Sequence, residues 1–373
     1  MNRPLVGTAC SLCIIVACLQ MSAQAPQRVD LRELGYKTPE DSSSHFQRQL
    51  SSQLISVTNL GEIAVGFVTR DRTGLATREL PPLSFHVVRF TRSGKFISQL
   101  TIPTPSWHEN ALFYGSHNTL LIRTGTKLIL LSPNMERVAE RELSATRDSV
   151  LMNWKIYPLP NRTGFVLYNY RESNTSIALL NWDDLKPIRE CPFSQYDQVL
   201  SVSNNDILSF HPSRADAPLR RAIEAGELCG RSQFSYSWEG DGAAATLIDD
   251  DSLVLGGGGS SVRLVVRDKV RWAEAFDKNS DVVSDNIKAS ADAHFVVIAV
   301  KKFAGGSRFL DIPRKLKAVR IIVYEVKTGE KASEVPLQSP SASEFDFALS
   351  PAGDVLAIVS DGFLEIVPVK GQF

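Results

Sequence analysis

The chain has 373 residues, its 41 lysines and arginines balance 41 aspartates and glutamates, and 43% of it is apolar. That apolar share supports a large core, and the length exceeds one ordinary compact domain. Zero net charge excludes a general nucleic-acid binder, which relies on a basic excess to displace counterions from phosphate. Any charge-driven partner must therefore be met by a local patch.

In chain order, residues 1–25 read as an export signal. Arg3 supplies a short positive start, Leu5 to Met21 is apolar, and Ala23-Gln24-Ala25 offers a small-x-small cleavage site. The apolar run has about 17 residues, short of the roughly 20 of a spanning helix, and no second hydrophobic span follows it. Two maturation routes stay open. Ordinary cleavage after Ala25 would have to tolerate Pro26, while Ile15-Val16-Ala17-Cys18 resembles a lipobox in which Cys18 is acylated, although Leu19 is unusual after such a cysteine. The expected location is periplasmic or extracellular, with membrane attachment only if Cys18 is lipidated. Cys10, Cys13 and Cys18 fall within the signal, leaving Cys191 and Cys229 in the body. An oxidising compartment allows those two to pair; two free thiols is the other reading. Neither has the CxxC or histidine neighbours of a metal site.

Residues 26–52 divide in two. Gln27 to Leu34 alternates polar and apolar residues as an edge strand does, and the stretch from Lys37 to Ser52, with its proline and serines, reads as a connection. From residue 53 to 370, short β-type runs alternate with turn residues at intervals of about ten, with little helical periodicity. The clearest unit is the last. Phe345-Asp-Phe-Ala-Leu-Ser-Pro is a strand, Ala352-Gly353-Asp354 a turn and Val355-Leu-Ala-Ile-Val a second strand; Ser360-Asp361-Gly362 turns into a third, Phe363-Leu-Glu-Ile-Val-Pro-Val. These residues resemble the inner hairpin of WD-repeat and TolB-like propeller blades. Weaker copies begin near Leu54, Ala111, Met152, Val199, Ala244 and Ile287, so that successive units start 41 to 60 residues apart. Propeller blades repeat at about 40–50 residues.

The resemblance implies an all-β fold, a β-propeller of seven four-stranded blades. Radial stacking buries both faces of sheets that could not bury them alone. The last unit lacks an outer strand, and the alternating segment after residue 26 is expected to supply it, closing the ring. A β-sandwich or tandem β domains would need a linker near the middle, where no Pro/Gly/Ser-rich or charged break occurs.

Catalytic signals are not found. The six histidines are scattered without metal-ligand spacing, and there is no GxSxG elbow. Asp249-Asp250-Asp251 lacks the alternating ligands of a calcium loop and reads as a hairpin turn, and Gly256 to Gly259 lacks a following GK[ST]. No catalytic residue, metal or cofactor is expected. Trp107, Tyr196, Trp238 and Phe345 each sit ahead of an inner strand, a position suited to blade packing, with Trp107 and His108 the best candidates for contact instead.

Two insertions stand out, Thr69 to Ser84 and Lys301 to Val319, both placed between second and third strands and so expected on one face. The second carries Lys301, Lys302, Arg308, Arg314, Lys315 and Lys317 against Asp311 alone, and equivalent connections add Arg123, Lys127, Arg171 and Arg214. The reading is an exported, monomeric, non-catalytic binding or scaffold propeller whose basic loops meet a protein or an anionic polymer. The alternative is a propeller enzyme of hydrolase, lyase or dehydrogenase type, with residues from several blades meeting at the central channel.

Overall fold

The computed structural model describes residues 26–36, 54–70, 82–107, 109–143, 153–170, 176–192, 198–204, 206–211, 221–227, 232–238, 244–249, 251–256, 259–267, 269–305, 315–337 and 345–369. The predicted signal over residues 1–25 lies outside them, as do His108, Arg171, Arg214, Cys229, Arg308 and Arg314.

The described strands form antiparallel four-stranded sheets, each a simple meander. The segment β1 (Gln27–Asp30) comes first. One sheet then holds β2 (Ile55–Val57), β3 (Ile63–Arg70), β4 (Leu83–Phe90) and β5 (Phe96–Thr104). The next holds β6 (Asn110–Tyr114), β7 (Leu120–Thr124), β8 (Lys127–Leu131) and β9 (Arg137–Glu142). A third contains β10 (Asn153–Pro158), β11 (Gly164–Tyr170), β12 (Ser176–Asn181) and β13 (Pro187–Pro192). A fourth contains β14 (Gln198–Val202), β15 (Asp206–His211), β16 (Arg221–Glu227) and β17 (Ser232–Trp238). The fifth comprises β18 (Ala244–Asp249), β19 (Ser252–Gly256), β20 (Ser261–Val266) and β21 (Lys269–Ala275). The sixth comprises β22 (Asp281–Ala289), β23 (Phe295–Ala304), β24 (Lys315–Glu325) and β25 (Lys331–Pro336). A last sheet is composite: β26 (Phe345–Leu349), β27 (Val355–Ser360) and β28 (Phe363–Pro368) are joined by β1, with Gln27 opposite Ile366 and Asp30 opposite Phe363.

This is a β-propeller, and its core lies between sheets. Each apolar cluster draws its residues from two neighbouring sheets. Leu112, Tyr114 and Ile122 meet Phe85 and Val87, for example, and Phe347 and Ile358 meet Val297 and Ile321. The alternation that each strand shows in sequence therefore serves two interfaces at once, since successive side chains point to opposite faces. A further cluster packs Ile55, Val65 and Phe90 against Ala357 and Leu364, with Leu31 beneath.

The turn that carried the sequence resemblance has a physical basis. Ser350 Oγ accepts from Val355 N at 3.0 Å and donates to Asp354 Oδ1 at 2.7 Å, so the side chain closes the hairpin from within. Gly353 sits at φ 73°, and a Cβ there would meet Phe295 Cδ2 at 2.2 Å, so both conformation and space require glycine.

Two expectations need correction. The inserted segments are not loops from end to end. Lys301 pairs with Val319, Lys302 with Ala318 and Ala304 with Lys315, and likewise Thr69 pairs with Ser84 and Arg70 with Leu83. The ladder continues because the inserted residues still alternate. Phe345 does not precede an inner strand but begins one, β26, whereas Trp238 ends the outer strand β17 and so does come ahead of the inner strand β18.

Candidate binding face and central channel

Among the described residues, the β23–β24 hairpin has the longest strands, of 10 and 11 residues. At about 3.3 Å per residue, Lys315 lies roughly 16 Å along β24 from Arg320, where the pairing with β25 ends. Lys302, Lys315 and Lys317 are exposed on it and Lys301 is half-buried, its ammonium 5.5 Å from the Phe345 ring centre. Connections between second and third strands share a face with those entering each inner strand. Accordingly Lys302 lies near Asp277, which precedes β22, and helps hold that carboxyl below its usual range, behind hydrogen bonds from Asn279 N and Ser280. Acids thus partly offset the predicted basic patch.

Arg123 is not part of any exposed patch. It is 7% exposed, donates from Nε to Gly125 O at 3.1 Å and from Nη1 to the Trp154 carbonyl, and so ties the second sheet to the third. Desolvation lowers its pKa to about 10, against which Glu109 raises it. Its place in β7 looked outward from sequence because the mixed run Leu120 to Thr124 hides which side chains face a neighbouring blade. Lys127, by contrast, is exposed and pairs with Glu140 at 3.3 Å. Trp107 is half-buried against the cluster between the first two sheets, with the Arg70 guanidinium 5.5 Å from its ring centre. Arg70 and Trp107 thereby link the tip of the β3–β4 hairpin to the connection before β6. Cys191 in β13 is disulfide-bonded.

The innermost strands surround a cavity of about 940 Å³. Its wall includes Val57, Tyr114, Lys155, Tyr157, Arg162, Val202, Thr246, Asp249, Ile287, Lys288 and Leu349, contributed by all the sheets. Several polar groups there are already engaged. Tyr157 donates to Val199 O at 2.7 Å, and Lys288 donates to Asp346 Oδ1 at 3.0 Å and to the Phe347 carbonyl. Arg162 reaches from the β10–β11 turn to Val57 O at 3.1 Å. Desolvation lowers its pKa to about 10 and also lowers that of Lys155. Sequence reading passed over both cations: Lys155 lies in the alternating run Asn153-Trp154-Lys155-Ile156-Tyr157, and Arg162 in a polar turn, neither of which signals a shared cavity. Among the described residues, no group of three or more His, Cys, Asp or Glu side chains is arranged to hold a metal ion.

No family model matches the chain, and neither does any curated protein. Solved structures do resemble it. A chain from the crystal structure of the mitotic checkpoint complex superposes with a TM-score of 0.54 at 12% identity, covering 100% of both chains. The WD40 domain of Toxoplasma gondii coronin gives a TM-score of 0.53 at 12% identity, covering 85% of this chain and 81% of that one. Likeness at such identity speaks for the fold alone, and that fold is a β-propeller.

Proposed function

We propose that this WD40-type β-propeller is an exported, non-catalytic scaffold that binds a protein partner through the face bearing the β3–β4 and β23–β24 hairpins. The single observation that carries the reading is the long β23–β24 hairpin, which exposes Lys302 beside β22 and carries Lys315 and Lys317 past the end of β25. Loops held by a rigid scaffold are where recognition concentrates. The similar checkpoint chain was itself solved within a complex, which fits a protein-binding role in outline. The basic tip favours an acidic partner surface, because exposed charges steer encounter more than they add affinity.

The same proposal includes seven blades in a ring closed by β1, whose pairing with β28 supports it. It also includes a disulfide from Cys191 to Cys229, which is roughly 40 residues further on. Export through the signal at residues 1–25 fits an oxidised cysteine. The test is cross-linking in the native host, followed by the triple variant Lys302→Glu, Lys315→Glu, Lys317→Glu. We expect loss of the cross-linked partner with an unchanged melting temperature. A partner retained at wild-type yield would overturn the contact face, and recovery of the chain in the cytoplasm with its first 25 residues intact would overturn export.

A further inference from the structure

We propose that the central channel is a binding site for a small multivalent oxyanion, held by Lys155 and Arg162. The inference is independent of the outer-face reading, since it concerns the opposite side of the inner strands and different cations.

The channel contains positive charge that the protein itself does not neutralise. Among the described residues, no hydrogen bond or ion pair reaches the Lys155 ammonium, although the side chain lines a cavity of about 940 Å³. Arg162 has one contact, the Val57 carbonyl at 3.1 Å, and a neutral carbonyl leaves the guanidinium charge uncompensated. Lys288 shows what a satisfied cation looks like in the same wall: Asp346 Oδ1 lies 3.0 Å away, and Asp346 also accepts from Leu54 N at 2.9 Å. Asp249 is the carboxylate in the lining, but it is exposed at the end of β18, with Oδ1 taken by Asp251 N at 2.9 Å.

Lys155 is exposed to the channel and Arg162 is half-buried, so both charges stay within reach of a ligand. Desolvation lowers the pKa of both Lys155 and Arg162, and among the described residues no acid opposes it. A low-dielectric wall around uncompensated cations focuses a positive potential into the channel. Lys155 on β10 and Arg162 on the turn after it line the same cavity. Two cations in one wall suit a small molecule that carries more than one oxyanion group. Arg162 has guanidinium donors left over for a second oxygen, the geometry suited to phosphate or carboxylate.

The test uses the mature chain with two probes, inorganic tripolyphosphate and citrate, followed by calorimetry at physiological salt. We expect at least one to bind with one-to-one stoichiometry, and the stronger of the two names the oxyanion. Lys155→Met should weaken that binding by roughly tenfold or more, in line with loss of a charge-assisted hydrogen bond, without lowering the melting temperature. Arg162→Lys should weaken it less. Lys317→Met, on the outer hairpin, should leave it unchanged. As a second readout, amine acylation near neutral pH should label Lys155 ahead of surface lysines, and the probe should protect it. Absence of binding by both probes, or equal binding by wild type and Lys155→Met, would overturn the proposal. So would protection spread evenly over surface lysines.

Discussion

At the scale of single residues, the same hydroxyl device shapes many of the turns. Thr58, Thr91, Ser132, Ser290 and Ser350 each accept, through the carbonyl, the N–H of the residue three positions on. Those third residues are Gly61, Gly94, Met135, Ala293 and Gly353, all with φ between 60° and 78°. The hydroxyl then takes a later amide, as Glu62 N does at 2.9 Å and Phe295 N at 3.0 Å. Side-chain capture of this kind competes with other backbone pairings and so sets where a strand stops. Between sheets, Arg89 is the strongest tie. It is 6% exposed and donates to Tyr114 Oη at 3.2 Å, Pro133 O at 2.5 Å and Glu62 Oε2 at 2.8 Å. Arg89→Leu should lower the unfolding free energy by about 2–3 kcal/mol, because Glu62, Tyr114 and Pro133 O lose their donor while Glu62 keeps some solvent. Denaturant melts of this variant and of the double variant with Glu62→Gln will check it, the double recovering part of the loss. His86 predicts a pH effect. Its ring stacks on Phe67, with Nε2 2.7 Å from Thr69 Oγ1 and Nδ1 3.3 Å from Gln99 Nε2. Burial lowers its pKa below the ordinary 6.5. The unfolded chain therefore binds the proton first as pH falls, and stability present above pH 6.5 declines below it. His86→Gln should flatten the dependence of melting temperature on pH between 7 and 5, and an unchanged slope would refute this role.

At the scale of elements, the inner strands were legible in the sequence and the site was not. Starting points near Ala111, Val199, Ala244 and Phe347 fall within β6, β14, β18 and β26, because each strand couples an apolar run to a turn of recognisable chemistry. Hairpin limits were harder to read. Residues such as Lys315-Leu316-Lys317 keep strand alternation past the end of β25, so sequence alone does not show where pairing ends. Cations were hardest of all. Arg89 and Arg123 are buried ties, whereas Lys302 is exposed, yet all carry the same local signature of a charge among apolar neighbours. Their roles depend on which blade stands opposite, and that information lies far away along the chain. The N-terminal element carries a prediction of its own. After β1 the chain makes a 3-10 turn, in which Asp30 caps Arg32 N at 2.9 Å and buries Leu31 completely. Leu31→Ala should cost about 3 kcal/mol. Hydrogen exchange in β1 and β28 should then accelerate together, since each strand is the other's ladder partner.

For the whole molecule, the arrangement of interfaces matters more than any one of them. In the closed ring proposed above, no terminal blade is left to fray, and the cost of holding it falls on the place where β1 meets β28. There β1 spans what would otherwise be an edge at β28, with Val29 opposite Leu364 and Leu31 N donating to Gly362 O at 2.8 Å. Open edges are also hazards for association, which gives the pairing a second physical role. If β1 acts only as a fourth strand, its covalent position is immaterial. A permutant that begins at residue 53, runs to residue 373 and continues into residues 26–36 would convert the β28–β1 contact into an ordinary hairpin. Gln27 already faces Ile366, so the native C-terminal residues suffice to make the turn. We expect this permutant to unfold within about 1 kcal/mol of the native chain, because loop-closure terms vary slowly with length. A chain lacking residues 26–36 should lose several times that amount and self-associate through β28. Sedimentation and denaturant melts of the two will decide the matter: a permutant as weak as the truncation would mean that the ring depends on the connection before β2, and not on the strand pairing itself.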